Sequence, residues 1–442
     1  MFAAVVVNQK TNALNRIFYY EIPSGLDVRL GMIVEVSFGS SRLEAFVVDI
    51  CQDVDFDKAK IKPIEKIISD GVVLRRDLIE LSKYITDYYL ANWVSVLQGM
   101  LPAGMHLTGK MPKSSVVKRA FMRTVVMPDL RGTKQKQALA YIFAHNGAVL
   151  SDVTAATGVS VAVIKALADK NIIEIREDIV WGDDTDYEET AKPQLTEEQQ
   201  RAVAKIDANR AGNNKPVLLY GVTGSGKTEV YLNQAEKVLN SGKQVIILVP
   251  EISLTPQTVR VFQERLGSRV AVLHSGLVGA DRRKAWLGIA EGKYDVVIGA
   301  RSAVFAPTPD LGMIIIDEEH ESSYKQENNP RFHTVNVAKE RCRLTGASLI
   351  LGSATPDVGD YYKAEQGEYL LVTMASRVQN REMAKLEIVD MREELKQGNN
   401  HMFSRLLYQK LAANLQNGRQ SLLFLNRRGY DSFVSCRSCG YV

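Results

Sequence analysis

Gly221-Val222-Thr223-Gly224-Ser225-Gly226-Lys227-Thr228 carries the strongest chemical signal in the chain. It fits G-x-x-x-x-G-K-[ST], a loop that cradles phosphate when it links a strand to a helix. Pro216 to Tyr220 reads as a short buried strand, and Tyr231, Ala235 and Val238 keep helical spacing after the loop. Gly224 and Gly226, on either side of Ser225, let the backbone curl so that its N–H groups face phosphate oxygens. Lys227 would pair with the β- and γ-phosphates, and the Thr228 hydroxyl would ligate Mg²⁺. Further on, Met313 to Ile316 form an apolar strand that delivers Asp317-Glu318-Glu319-His320 at its carboxyl end, where open α/β sheets bind ligands. Asp317 suits the Mg²⁺ shell, and Glu318 suits a base that orients the attacking water. His320 has two open readings, a coupling role or an ordinary hydrogen bond. Together these elements predict nucleotide hydrolysis.

Gly352-Ser353-Ala354-Thr355 follows the next apolar strand, where small hydroxyl residues could sense a γ-phosphate. Cys436 and Cys439 have the spacing of half a zinc site, and Cys51 and Cys342 lie too far off in sequence to suggest partners. With four cysteines in 442 residues there is no disulfide framework, so a reducing cytoplasm is expected. A composition that is 45% hydrophobic and 24% charged excludes extensive disorder. The net charge of +4 is too mild to establish a nucleic-acid partner. No apolar run is long enough to span a membrane, and the N-terminus lacks a secretory pattern.

The elements that must position this chemistry change character along the chain. Ala3 to Val7, Ile17 to Ile22, Met32 to Phe38 and Leu43 to Ile50 read as strands, and Asp77 to Leu90 as a helix with Leu78, Leu81, Ile85 and Tyr88 on one face. Thr133 to Trp181 has the layout of a winged helix. Leu139, Ile142 and Phe143 form one stripe, Ser151 and Ser160 are candidate caps, and Ile172–Ile175 with Ile179–Trp181 is the expected hairpin. Lys165 and Lys170 are the only long donors on its third, recognition helix, which suits backbone contacts to DNA or a purely structural role. Beyond an acidic stretch, Val217–Tyr220, Val245–Val249, Val270–Leu273, Val296–Ile298, Ile314–Ile316 and Leu349–Leu351 are uniformly apolar, as strands covered on both faces must be. A doubly wound parallel sheet follows. Ser421 to Leu425, after the helical Ser404 to Leu415, reads as the first strand of a second such lobe.

The phosphate loop, Leu248 to Ile252, Leu273 to Leu277, Arg301-Ser302-Ala303, Asp317 to His320, Gly352 to Thr355 and Phe424 to Tyr430 occur in this order. They resemble the motifs of superfamily 2 helicases, specifically the primosomal replication-restart helicase family. The resemblance implies a multidomain α/β chain with a RecA-like motor lobe, preceded by a β-rich domain and a winged helix. The boundaries expected are 1–107 for a β-rich domain that binds DNA 3′ ends, 108–182 for the winged helix and 183–192 for a linker. Residues 193–375 would form the ATP-binding helicase lobe, and 376–442 the start of a second lobe with half a zinc region. It implies ATP and Mg²⁺ as cofactors, with zinc in the full-length protein. Gln199 matches a glutamine that reads adenine, with a helix-surface glutamine as the alternative.

Arg301 matches a DNA-facing position, with a salt-bridged arginine as the alternative. Ser322 to His333 resembles an aromatic-rich loop in which Tyr324, Lys325, Arg331 and Phe332 would meet single-stranded DNA, aromatics stacking on bases and cations gripping phosphates. Phe18, Gly39 and Lys62 align with a pocket for a nascent 3′ end, and Tyr19 departs from the acidic residue expected beside Phe18. The implied activity is ATP-dependent 3′→5′ DNA unwinding that recognises stalled or repaired forks and starts primosome assembly. Implied partners are forked and single-stranded DNA, single-stranded DNA-binding protein and primosome assembly proteins, in the nucleoid-associated bacterial cytoplasm with no membrane. A fork-binding scaffold and a translocase that moves without unwinding are the competing readings. Val442 comes before the second lobe's arginines, so the sequence reads as a piece of a longer helicase that binds nucleotide and DNA but turns ATP over poorly.

Overall fold

The computed structural model describes residues 1–442 apart from 12–13, 55–56, 58–59, 70, 103–115, 124–127, 129, 131, 146, 180–192, 268, 275–276, 278, 379–384 and 425–442. The expected linker, Cys436, Cys439 and the motif beyond Phe424 lie outside the described residues. The chain divides into two compact units, Met1–Asn380 and Arg381–Val442.

β1 (Phe2–Val7), β2 (Phe18–Glu21), β3 (Ile33–Phe38), β4 (Ser41–Cys51) and β5 (Ile64–Ile67) form an antiparallel sheet in the order β2-β1-β4-β3-β5. β1 is buried from Ala3 to Val7 because both its faces are covered. Ala3, Val5 and Val7 face Val34 and Val47 inside the curled sheet, while Ala4 and Val6 share a core with the next helices. The two edges of the sheet meet. The Tyr20 hydroxyl donates to the Ser37 carbonyl (3.0 Å) and the Glu21 amide to the Lys62 carbonyl (3.0 Å).

α1 (Arg76–Tyr88) and α2 (Trp93–Met100) follow. Leu78, Leu81 and Ile85 are buried as the spacing predicts. Tyr88, the last residue of α1, is not, at 60% exposed. α2 is too short and too evenly apolar to show a helical period.

β6 (Val116–Met122), α3 (Thr133–Ala144), β7 (Ala148–Val149), α4 (Leu150–Thr157), α5 (Val161–Asp169) and β8 (Ile173–Ile179) form a winged-helix arrangement with sheet order β7-β6-β8. The expected hairpin between Ile172–Ile175 and Ile179 is corrected here. Residues 173–179 are one strand, and its polar centre Arg176-Glu177-Asp178 is held by β6 from Met122↔Ile173 to Val116↔Ile179. α4 already begins at Leu150, so Ser151 lies inside it, and Ser160 stands at the α5 cap without a side-chain bond. Leu139 and Ile142 are core, whereas Phe143 is 45% exposed.

The motor lobe comprises α6 (Glu197–Ala211), β9 (Val217–Gly221), α7 (Lys227–Asn240), β10 (Gln244–Leu248), α8 (Pro256–Leu266), β11 (Val270–Leu273), α9 (Gly279–Ala290), β12 (Val296–Gly299), β13 (Leu311–Asp317), α10 (Thr334–Thr345), β14 (Ser348–Ser353), α11 (Val358–Glu365) and β15 (Leu370–Met374). Its seven strands are all parallel, in the order β11-β12-β10-β13-β14-β9-β15. β15 was not legible as a strand because Thr373 breaks its apolar run, yet it pairs along the whole of β9.

α1 lies directly on α10, and one apolar core runs from the N-terminal sheet through α1 and α2 into the motor lobe. At its centre Arg341, fully buried, holds Asp77 through Nε (3.0 Å) and Nη2 (2.9 Å). Trp286 Nε1 donates to the Val73 carbonyl (3.2 Å) in the same seam.

In the second unit, α12 (Met391–Lys396) and α13 (Arg405–Gln416) form, the latter where a helix is expected. The strand expected at Ser421 does not. Residues 421–424 are irregular, Leu422 is 96% exposed, and no strand among the described residues pairs with them.

Candidate nucleotide site

β9 ends at Gly221 and α7 starts at Lys227, so the loop between them hangs over the carboxyl edge of the sheet. Gly224 and Gly226 both have φ of +81°, a left-handed turn that Cβ would strain. Gly226 caps α7 without a side-chain bond, which leaves the positive end of the helix dipole facing the loop. The Ser225 hydroxyl is buried without a protein partner. Lys227, 8% exposed, donates from Nζ to the Gly221 carbonyl at 2.9 Å, so its ammonium sits inside the curl of the loop. Thr228 lies in the first turn of α7. An orphaned hydroxyl, a helix end and a buried cation in one loop fit a phosphate-bearing ligand.

β13 brings Asp317 to the same edge, with β14 between it and β9. Burial, and then the neighbouring Glu318, push the Asp317 carboxyl above its ordinary range, and Lys227 pulls it back. Glu318 has φ of +46°, an unusual backbone for a glutamate, and its carboxylate lies 3.7 Å from His320 Nδ1. Glu319 is 1% exposed, accepts the Asp357 amide at 2.9 Å, and is pushed up to about 7 by burial. His320 Nδ1 lies 2.7 Å from Ser353 Oγ and Nε2 lies 3.3 Å from Thr355 Oγ1. His320 thus ties the end of β13 to the hydroxyls at and just beyond the end of β14.

One residue completes this site that sequence reading used only for its helical spacing. Tyr231 is fully buried and donates to Asp317 Oδ1 at 3.0 Å. Gly352 makes room for it, since a Cβ there would overlap the Tyr231 hydroxyl. The usable signal was spacing: Tyr231 stands one helical turn beyond Lys227 and so points along the same side of α7.

Gln199 is 3% exposed and closes a capping box with Thr196. Its Oε1 accepts the Thr196 amide (2.8 Å), and its Nε2 donates to the Gly226 carbonyl (3.2 Å). In this conformation it braces the phosphate loop. Arg301 donates through Nη1 to the Ser323 (3.1 Å) and Lys325 (2.9 Å) carbonyls, so it ties down the 322–333 loop and forms no salt bridge among the described residues.

Within that loop the expected base-stacking aromatics need correction. Tyr324 is 0% and Phe332 2% exposed, Phe332 packs edge-on against Phe305 (5.1 Å), and the Tyr324 hydroxyl donates to the Asp317 carbonyl (2.8 Å). Apolar rings beside a short 3₁₀ turn are drawn into the core, and here they brace the acidic strand. Arg331 is exposed, and Lys325 Nζ donates to its carbonyl. In the N-terminal sheet, Phe18 packs edge-on against Phe38 (5.1 Å), which adjoins Gly39 in the β3–β4 turn (φ +61°), while Lys62 is exposed beside Glu21 on the same closing seam.

Comparison with known proteins adds to this geometry. A family model described as 3'DNA-binding domain (3'BD) of PriA matches residues 4–102, and one described as DEAD/DEAH box helicase matches residues 196–363. The replication restart protein PriA of Bacillus subtilis (strain 168) is 37% identical across 100% of this chain and 64% of its own length. The chain belongs to the PriA family. PriA of Synechocystis sp. (strain ATCC 27184 / PCC 6803 / Kazusa) is 33% identical over 100% of this chain and 63% of its own, so the chain spans less than two thirds of these PriA relatives. A solved structure of RecG bound to a three-way DNA junction aligns with 52% of this chain and 29% of its own at 24% identity and a TM-score of 0.38. Among the described residues no helix is long and apolar enough to cross a membrane. The first PriA match includes α1 and α2, although their apolar faces are shared with the motor lobe.

Proposed function

We propose that this chain is the fork-binding and nucleotide-binding portion of an ATP-dependent 3′→5′ DNA helicase that restarts replication. The observation that carries the reading is the convergence of Lys227, Thr228 and Asp317 on one edge of a parallel sheet, with a buried unpartnered Ser225 hydroxyl in the loop between them. Lys227 and the N-terminus of α7 bind the phosphates of ATP. Thr228 and Asp317 would hold Mg²⁺, which when bound neutralises charge on the phosphate oxygens. Glu318 accepts a proton from the attacking water. His320, Ser353 and Thr355 pass the state of that acid to the end of β14, and Gln199 holds the loop against α6.

Phe18, Gly39 and Lys62 form the surface for a DNA 3′ end. Lys325, Arg331 and the Arg301 region face single-stranded DNA as cations. The winged helix contacts DNA backbone. The partners proposed for the whole protein are forked DNA, single-stranded DNA-binding protein and primosome assembly proteins in the bacterial cytoplasm, and zinc is proposed at a site to which Cys436 and Cys439 contribute. Binding of forked DNA with a free or a blocked leading-strand 3′-hydroxyl, compared for wild type and Phe18→Ala, tests the reading. Tighter binding of the free end by wild type alone is expected, and equal affinities throughout would remove the end-recognition function.

A further inference from the structure

We propose that Tyr89 is a positioning residue through which the N-terminal DNA-binding sheet acts on the nucleotide site. This rests on the function proposed above for both surfaces. Tyr89 closes the C-terminus of α1 and points its phenol at the motor lobe. The phenol oxygen accepts from the His333 amide (3.0 Å) and from Asn336 Nδ2 (3.4 Å). Lys325 Nζ lies 5.3 Å from the centroid of its ring, and the Tyr88 ring abuts it edge-on at 4.8 Å. α2 touches the same loop, since a Cβ on Gly99 would meet Pro330 Cδ at 3.6 Å.

The loop so held transmits displacement because it is internally braced. Lys325 and His333 pair as a bridge, Gln326 N donates to the Phe332 carbonyl (2.9 Å), and Thr334 Oγ1 donates to the Tyr324 carbonyl (3.0 Å). Tyr324 in turn bonds the main chain of Asp317 at 2.8 Å. A shift at His333 therefore reaches the acid proposed to hold Mg²⁺ through a few hydrogen bonds.

The other end of the connection lies beside the proposed 3′-end surface. Asn15 Oδ1 accepts the Trp93 amide at the start of α2 (2.8 Å), and Arg16 stacks over the Phe18 ring (5.1 Å). Trp93 Nε1 donates to Ser82 Oγ of α1 (2.8 Å), which locks the two helices together. The segment that presents Phe18 thus also anchors the helix pair whose connection carries Tyr89. Two ligands that favour the same arrangement of such a connection must change each other's affinity by the same factor.

The test is the affinity of the full chain for a non-hydrolysable ATP analogue with Mg²⁺, measured with and without a saturating oligonucleotide that has a free 3′ end. It is done for wild type, Tyr89→Phe and Asn336→Ala. Wild type should show a change in nucleotide Kd of about fivefold or more on adding DNA, mirrored when DNA is titrated with and without nucleotide. Tyr89→Phe removes the shared acceptor, so its nucleotide Kd without DNA stays at the wild-type value while the linkage falls to about twofold or less. Asn336→Ala removes one donor and lowers the linkage partway, which decides the matter should Tyr89→Phe melt early. Wild-type linkage in both variants, or no linkage in a wild type that binds both ligands, overturns the proposal and leaves the proposed function standing. A wild type that binds no nucleotide overturns both.

Discussion

Replacing Asp77 with alanine leaves a guanidinium stranded inside the protein. Arg341 is 0% exposed and makes five contacts: two to Asp77 Oδ2 (3.0 and 2.9 Å), and one each to the carbonyls of Val304 (2.6 Å) and Ala306 (2.8 Å) and to Thr308 Oγ1 (3.2 Å). Three of these acceptors are neutral and survive the substitution, while the only anion is lost. Removing one partner of a buried pair costs about 3–5 kcal/mol. The surviving acceptors and the 17% exposure of the Asp77 side chain place this case near the lower bound, about 3 kcal/mol. Asp77→Asn keeps an acceptor without its charge and should cost about half as much. The pair Asp77→Leu with Arg341→Met removes both charges and should recover part of the loss, since it also takes the donor from the Val304 and Ala306 carbonyls.

Urea titration followed by tryptophan fluorescence reads this directly, since Trp93 and Trp286 are both buried in the core shared by α1, α2 and the motor lobe. An unfolding free energy for Asp77→Ala within about 0.5 kcal/mol of wild type would refute the reasoning. So would a double variant no more stable than the single one.

Tyr231→Phe should weaken the Mg²⁺-dependent part of nucleotide affinity about three- to tenfold with the Mg²⁺-free part unchanged, read by fluorescence titration with and without the ion. Gly352→Ala forces a methyl against the Tyr231 hydroxyl and should cost about 1–3 kcal/mol in urea unfolding, recovered in part by Tyr231→Phe. Burial pushes the Cys342 thiol up to about 12, so at pH 8 it carries almost no thiolate. In native protein it should resist alkylation that modifies the half-exposed Cys51, as judged by mass spectrometry of the peptides.

The nucleotide loop and the acidic strand were legible because each couples a residue pattern to an element with a clear period. An apolar run such as Met313 to Ile316 has few ways to be buried, and its end must then face the ligand edge. What escaped was information that resides in tertiary contact. Tyr231 and a core tyrosine look alike in sequence, and only the proximity of Asp317 separates them. Tyr324 and Phe332 were read as exposed because they lie among Ser, Lys, Asn and Arg, yet the rings turn inward and leave the polar residues outside. The polar centre of β8 read as a turn although it pairs with β6, and Ser421 to Leu425 read as a strand although the described residues 421–424 have no strand neighbour among the described residues. The shared core of α1 and α10 had no local signature at all, since Asp77 and Arg341 are far apart in sequence.

Calorimetric titration of the folded chain with a non-hydrolysable ATP analogue is the most direct measurement of the central claim. The account predicts one saturable, Mg²⁺-dependent site in wild type that weakens at least about tenfold in Lys227→Ala, because that variant loses the charge aimed at the phosphates. Absence of heat from wild type, or equal binding by Lys227→Ala, would contradict it.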